Sequence, residues 1–181
     1  MAATPSAARR LRASATTSRQ EPVYKFLMGK IEFLMRHDAM TGLGIGQVGF
    51  SMGGHWAFWL AQQEKLPITA TVTFYAARSG DYSQTRSSFL CHFAENDPWV
   101  SGAAVKKLAR HLDSAGVSST FHQYPGTKHW FFESDRNDSF EPKAAELAWK
   151  RTIRFLGGNL PPDNTRRNAA GAARQPGGRQ P

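Results

Sequence analysis

The stretch that decides the fold of this chain lies between residues 45 and 54 and reads Ile45-Gly46-Gln47-Val48-Gly49-Phe50-Ser51-Met52-Gly53-Gly54. Its first six residues form a short apolar run typical of a buried strand, and residues 55–63 have the character of a helix. The Gly-x-Ser-x-Gly pattern at 49–53 therefore predicts a nucleophile elbow, a tight strand-to-helix turn that exposes a serine hydroxyl. A flexible glycine-rich loop is the alternative interpretation.

The two glycines that flank Ser51 at a distance of two residues, Gly49 and Gly53, are expected where side chains would collide across this turn. The turn places the Ser51 hydroxyl near the N-terminus of a helix, whose free N–H groups and dipole favour a developing negative charge. The Met52 N–H is the predicted donor to such an oxyanion. No second donor can be assigned from the sequence.

Apolar periodicity along the rest of the chain predicts strands alternating with helices. The predicted elements are a helix at 23–35, strands at 45–50, 68–75, 88–94 and 119–124, a helix at about 53–65, a helix between Ser101 and Gly116, and a final helix at 142–157. This alternation implies right-handed crossovers and a parallel sheet covered on both faces. We expect a three-layer αβα sandwich.

Three residues that follow predicted strands could perform nucleophilic catalysis. A serine hydroxyl needs a base to take its proton, and the base needs an acid that fixes its tautomer. In parallel sheets such residues gather beyond the carboxyl ends of the strands. Ser51, Asp97 and His129 lie there, in the Ser–Asp–His order of the α/β-hydrolase fold. We predict them as nucleophile, orienting acid and base.

Each of these residues has a competing interpretation. Asp97 precedes Pro98 and could be a turn former, with Glu95 as the other acid at the same strand end. His129 could be an exposed loop histidine, although it is the one histidine in a loop after a strand. Cys91 could be a thiol nucleophile, but its place within an apolar strand predicts a buried, unreactive side chain.

Five stretches of the sequence together resemble the dienelactone hydrolase family of the α/β-hydrolase fold, over about residues 45–156. They are Gly-Phe-Ser-Met-Gly-Gly at 49–54, Val-Thr-Phe-Tyr at 72–75, His-Phe-Ala-Glu-Asn-Asp-Pro-Trp-Val at 92–100, Phe-His-Gln-Tyr-Pro-Gly-Thr-Lys-His-Trp-Phe at 121–131 and Ala-Ala-Glu-Leu-Ala-Trp-Lys-Arg-Thr-Ile-Arg-Phe-Leu at 144–156.

The chain departs from the family pattern in two respects. The name-giving members look like cysteine hydrolases, whereas this chain has Ser51, so the resemblance implies an esterase-like relative. Family members also place two or more strands before the nucleophile strand, where this chain has a helix and a polar tail. We therefore expect a truncated α/β-hydrolase fold that lacks the N-terminal strands and leaves strand 45–50 at a sheet edge.

Composition divides the chain into a domain at 21–157, N-terminally incomplete, and tails at 1–20 and 158–181 that are expected to be disordered. The tails carry +4 and +3 of the net charge of +9, which leaves +2 for the domain. Nucleic acid and membrane are therefore not expected partners, although nucleic-acid binding by the basic tails is a third hypothesis. The N-terminal tail is rich in Arg and Ser like a mitochondrial transit peptide but lacks an apolar face. A single cysteine favours a reducing, cytoplasmic location.

The expected function is hydrolysis of a small carboxylic ester or lactone through an acyl-enzyme on Ser51, with no metal or cofactor, by a monomer or weak homo-oligomer. A catalytically inactive hydrolase fragment or scaffold is the alternative. Five aromatic residues could line an apolar acyl pocket, with a core role equally open for the first three: Trp130, Phe131, Phe132, Trp99 and Tyr75.

Overall fold

The computed structural model describes residues 22–40 and 42–160. The chain divides into two compact units, with the boundary between Gly42 and Leu43. The first unit holds helix α1, residues 22–35, and a 3₁₀ turn at Asp38–Met40, in agreement with the predicted helix at 23–35. The predictions for the tails lie outside the described residues, apart from residues 158–160.

The second unit is an alternating α/β structure. Its elements are β1 (Ile45–Phe50), α2 (Met52–Ala61), β2 (Ile68–Phe74), β3 (Ser88–Asn96), α3 (Gly102–Ser114), β4 (Ser119–Lys128) and α4 (Pro142–Asn159). Within the described residues, the four strands form one parallel sheet in the order β1-β2-β3-β4. The carboxyl ends of all four strands therefore meet at one edge of the sheet, and β1 is an edge strand of the described sheet.

Helices cover both faces of the sheet. A Cβ added to Gly46 in β1 would lie 2.6 Å from Leu160, directly after α4. The next residue, Gln47, instead donates its side-chain amide to the Ala57 carbonyl of α2 at 2.8 Å. Because successive strand residues point to opposite faces, α4 and α2 lie on opposite sides of β1. The predicted three-layer αβα sandwich is confirmed.

The core beneath the carboxyl edge lies between the central strands and α4. Val72 and Phe74 of β2, Leu90 of β3 and Ala148 of α4 are buried in one cluster. Burying a side chain of the size of Val, Leu or Phe stabilises the folded state by about 1.5–3 kcal/mol. This packing gives the loops above it a rigid base.

Several predicted element boundaries differ from the structure by one to four residues; β2, for example, ends at Phe74 rather than 75, and β3 ends at Asn96 rather than 94. Helix α2 ends at Ala61 rather than 65, because the N–H groups of Gln62 and Gln63 bond three residues back and tighten its last turn. Strand β4 continues to Lys128 rather than ending at 124, because pairing resumes with Asn96 after a register shift. Helix α4 ends at Asn159, two residues beyond the predicted end.

Candidate active site

Ser51 lies in a strained turn between β1 and α2. Its φ of 48° and ψ of −117° fall outside the regions that non-glycine residues favour. The turn is held in place because the Ser51 N–H donates to the Phe74 carbonyl at 3.0 Å and the Ser51 carbonyl accepts the His55 N–H at 3.2 Å. The strand, turn and helix of the predicted elbow are thus present, and backbone strain of this kind is typical of active sites.

The glycines of the turn differ in their roles. A Cβ at Gly49 would lie 2.6 Å from the Gly53 carbonyl oxygen, so Gly49 is sterically required, as predicted. The same prediction for Gly53 is wrong, because its added Cβ would have no atom within 4 Å. Gly54 is the second crowded position, since a Cβ there would lie 2.5 Å from Ala76. The Gly-Gly pair was the one sequence signal that could have identified it.

The fold brings Ser51, His129 and Asp97 into one hydrogen-bonded series. Asp97 Oδ2 lies 2.7 Å from His129 Nδ1, and His129 Nε2 lies 2.9 Å from Ser51 Oγ. A carboxylate only accepts, so Nδ1 carries the imidazole proton and Nε2 is left to accept the serine proton. The side chains of His129 and Asp97 are only 4% and 3% exposed, which shields their contact from water.

Asp97 is held by its second oxygen. Asp97 Oδ1 accepts the N–H groups of Trp99 at 2.9 Å and Val100 at 3.0 Å. Asp97 is therefore a turn former and the partner of His129 at once, so the two interpretations of this residue do not compete. Glu95 is engaged elsewhere, because its carboxylate accepts the Gly126 N–H at 2.8 Å.

Three aromatic rings pack around the His129 imidazole. The ring centroids of Tyr75, Trp99 and Trp130 lie 4.6, 4.7 and 5.1 Å from that of His129. Tyr75 is fully buried, whereas Trp99 is 63% exposed. Of the other aromatic candidates, Phe131 is fully buried in the core.

A cavity of about 560 Å³ opens beside Asp97 and His129. Trp99 and Trp130 form apolar parts of its lining, and Lys128 and Asp138 add charge. Ser51 is not among the residues that line this cavity. The cavity has the size of a small-molecule site.

Met52 is the first residue of α2, and the residue is 74% exposed. The N–H of a first helical residue has no partner within the helix and lies at the positive end of the helix dipole. This N–H directly follows Ser51 in the chain.

Cys91 and His92 are buried in β3 below the carboxyl edge of the sheet. Burial raises the pKa of the Cys91 thiol to about 12 and lowers the pKa of His92 to about 3. His92 is paired on both nitrogens, with the Tyr124 hydroxyl at 2.8 Å and the Thr152 hydroxyl at 3.1 Å. Both residues are therefore structural, as the position of Cys91 within an apolar strand predicted for that residue.

In the part of the chain that the structure describes, no three His, Cys, Asp or Glu side chains are grouped so that they could hold a metal ion. Among the helices of residues 22–40 and 42–160, none is both long and apolar enough to cross a membrane.

A parallel sheet with a strained serine after one strand, an acid after a second and a histidine after a third defines the α/β-hydrolase fold. The model of the dienelactone hydrolase family matches residues 2–160, a wider range than the 45–156 that carry the recognised motifs. The chain belongs to the dienelactone hydrolase family.

Two curated relatives illustrate the similarity. A Bradyrhizobium protein named "Probable 2-oxo-3-(5-oxofuran-2-ylidene)propanoate lactonase" is 24% identical over 82% of this chain and 64% of its own length. A Saccharolobus solfataricus protein whose name proposes a carboxymethylenebutenolidase is 32% identical over 62% of this chain and 43% of its own length. The chain thus spans 64% and 43% of the length of these two relatives.

Solved structures show the same fold. A dienelactone hydrolase-like promiscuous phosphotriesterase, P91, from metagenomic libraries superposes with a TM-score of 0.58 at 21% identity, over 63% of this chain and 52% of that one. Esterase PE8 superposes with a TM-score of 0.56 at 19% identity, over 75% of this chain and 61% of its own.

Proposed function

We propose that this chain hydrolyses a small carboxylic ester or lactone through an acyl-enzyme on Ser51. The observation that carries the proposal is the series of contacts from Ser51 Oγ to His129 Nε2 and from His129 Nδ1 to Asp97 Oδ2, at 2.9 and 2.7 Å. The lactonase and esterase names of related proteins agree with this reaction class.

In the first half of the reaction, Ser51 Oγ attacks the substrate carbonyl while His129 Nε2 takes the hydroxyl proton. Asp97 stabilises the resulting imidazolium and keeps its orientation. The oxyanion of the tetrahedral intermediate accepts a hydrogen bond from the Met52 N–H. When the intermediate collapses, the bond to the leaving oxygen breaks and His129 returns the proton to that oxygen.

In the second half, a water molecule attacks the acyl carbon, with His129 again taking a proton. Collapse of this second intermediate releases the carboxylic acid and returns the proton to Ser51 Oγ. With a lactone, ring opening in the first half leaves the new hydroxyl tethered to the acyl chain, and the second half releases a single hydroxy acid.

A catalytically inactive scaffold is the second candidate function. One observation favours it: among the described residues, Met52 is the one oxyanion donor that we assign. Removing one oxyanion donor costs about 100- to 1,000-fold in turnover.

Covalent labelling of the serine distinguishes the two candidates. The chain is treated with a fluorophosphonate probe, and the labelled peptide is identified by mass spectrometry. Labelling at Ser51 that disappears in His129→Gln supports a hydrolase, because the probe needs a serine activated by its base. A chain that folds but stays unlabelled would favour the scaffold.

A further inference from the structure

Tyr75 joins the neighbourhood of His129 to a carboxylate on the loop between β4 and α4. It directly follows β2 in a left-handed conformation, with φ of 38° and its N–H donating to the His92 carbonyl at 2.7 Å. Its ring packs 4.6 Å from that of His129. Its buried hydroxyl donates to Glu133 Oε1 at 2.7 Å.

The same carboxylate also reaches a second ring beside His129. Glu133 Oε2 lies 3.8 Å from Arg136 Nε, and the Arg136 guanidinium lies over the Trp130 ring at 4.3 Å from its centroid. Trp130 is likewise left-handed, with φ of 67°, and its carbonyl accepts the Glu133 N–H at 2.9 Å. Glu133 therefore contacts, directly or through Arg136, two of the three rings packed around the imidazole.

We propose that Glu133 is a positioning residue for His129: by holding Tyr75 and Trp130 it keeps the imidazole in the orientation that joins Ser51 to Asp97. This inference rests on the proposed hydrolase function. Left-handed backbone at a non-glycine residue persists only where neighbouring contacts enforce it, and Glu133 supplies such a contact at both Tyr75 and Trp130. A misplacement of about 1 Å at a reacting group can cost about 100-fold in rate.

Of the two contacts, the hydrogen bond from Tyr75 to Glu133 should contribute most to the positioning of His129. Burial and then the bond to Glu133 raise the pKa of Tyr75, so the phenol keeps its proton and donates to the carboxylate. Without Glu133 the buried hydroxyl would lose its acceptor, which favours a shift of the ring. The Glu133–Arg136 pair is weaker, because the two side chains are 29% and 47% exposed.

Kinetics of three variants test the proposal. Glu133→Ala should lower kcat for a short p-nitrophenyl ester by about tenfold or more while KM changes less than about twofold. Glu133→Gln should stay within about threefold of the parent kcat, because its amide oxygen still accepts the Tyr75 hydroxyl. Glu146→Ala, which removes an exposed carboxylate from α4, is the matched control and should leave kcat unchanged.

A double-mutant cycle tests the route through Tyr75. Tyr75→Phe alone should lower kcat, and adding Glu133→Ala should lower it little further, because both changes break the same bond. Full additivity of the two losses would overturn this route. If Glu133→Ala fails to fold, Tyr75→Phe decides by itself, because a parent-like kcat there would contradict the proposal.

A readout independent of turnover separates this inference from the proposed function. The proton on His129 Nδ1, bonded to Asp97, gives a low-field NMR resonance that is assigned by its loss in His129→Gln. We expect this resonance to broaden or shift in Glu133→Ala and Tyr75→Phe and to persist in Glu133→Gln. An unchanged resonance in Glu133→Ala would overturn the positioning role even if the parent hydrolyses no ester.

Discussion

Replacing Asp97 by Asn tests the orientation of His129 most directly. In the parent, Asp97 Oδ1 accepts two backbone N–H groups, from Trp99 and Val100, and Oδ2 faces His129 Nδ1 at 2.7 Å. An amide has one oxygen and one NH₂ group, so it can satisfy only one of these sides as an acceptor. The two backbone donors will keep the oxygen, and the NH₂ will face His129.

The expected loss of turnover follows from the tautomer of His129. Facing an NH₂ donor, Nδ1 must become the acceptor, so the ring proton moves to Nε2 and that nitrogen can no longer take the proton of Ser51. A wrong tautomer of this kind lowers kcat by about 10⁴, or about 5.5 kcal/mol of transition-state stabilisation. The free energy of unfolding should fall by only about 1–2 kcal/mol, because the turn formed by Oδ1 is retained.

The assay is steady-state hydrolysis of a short p-nitrophenyl ester, accompanied by urea denaturation of each variant. Glu95→Gln is the matched control, because it changes an acid two residues before Asp97, at the end of β3, whose partner is the Gly126 N–H. This control should stay within about twofold of the parent, since it alters one exposed hydrogen bond. A folded Asp97→Asn protein with turnover within a few-fold of the parent would refute the reasoning, because Asp97 would then not be the acid that orients His129.

Three further predictions concern the nucleophile, the turn and the core. Ser51→Ala should abolish ester hydrolysis and Cys91→Ala should keep most of it, because the Cys91 thiol is fully buried. The reverse result would show that Cys91 and not Ser51 is the nucleophile. Urea denaturation should show that Gly49→Ala costs about 2 kcal/mol or more, whereas Gly53→Ala is neutral or stabilises α2 by up to about 1 kcal/mol; equal losses would contradict the steric difference. The free energy of unfolding should fall by about 2 kcal/mol between neutral pH and about pH 5. The reason is that His92 binds a proton in the unfolded chain over this range, whereas its pKa of about 3 keeps it unprotonated in the folded chain. Urea titrations in which His92→Gln keeps the full pH slope would refute this.

The elbow could be predicted from the sequence because its determinants are contiguous. A buried strand, a tight turn and a helix follow one another within residues 45–61, so local pattern and chain geometry agree. Asp97 and His129 could be predicted as the partners of Ser51 from chain order and from their places after strands, because parallel strands bring their carboxyl ends to one edge of the sheet. That rule predicts proximity, and the distances of 2.7 and 2.9 Å follow from the packed structure.

Contacts between segments distant in sequence could be decided only by the tertiary structure. The steric requirement fell on Gly54 rather than Gly53, because Ala76, on the loop after β2, lies against that position. The bond from Tyr75 to Glu133 joins residues 58 apart, and no local pattern marks either partner for the other. The sequence therefore determined the order of elements and the chemistry at the strand ends, since both depend on local pattern and parallel topology. Side-chain packing between loops decided which atoms hold His129 in place. Periodicity and spacing do not encode that packing.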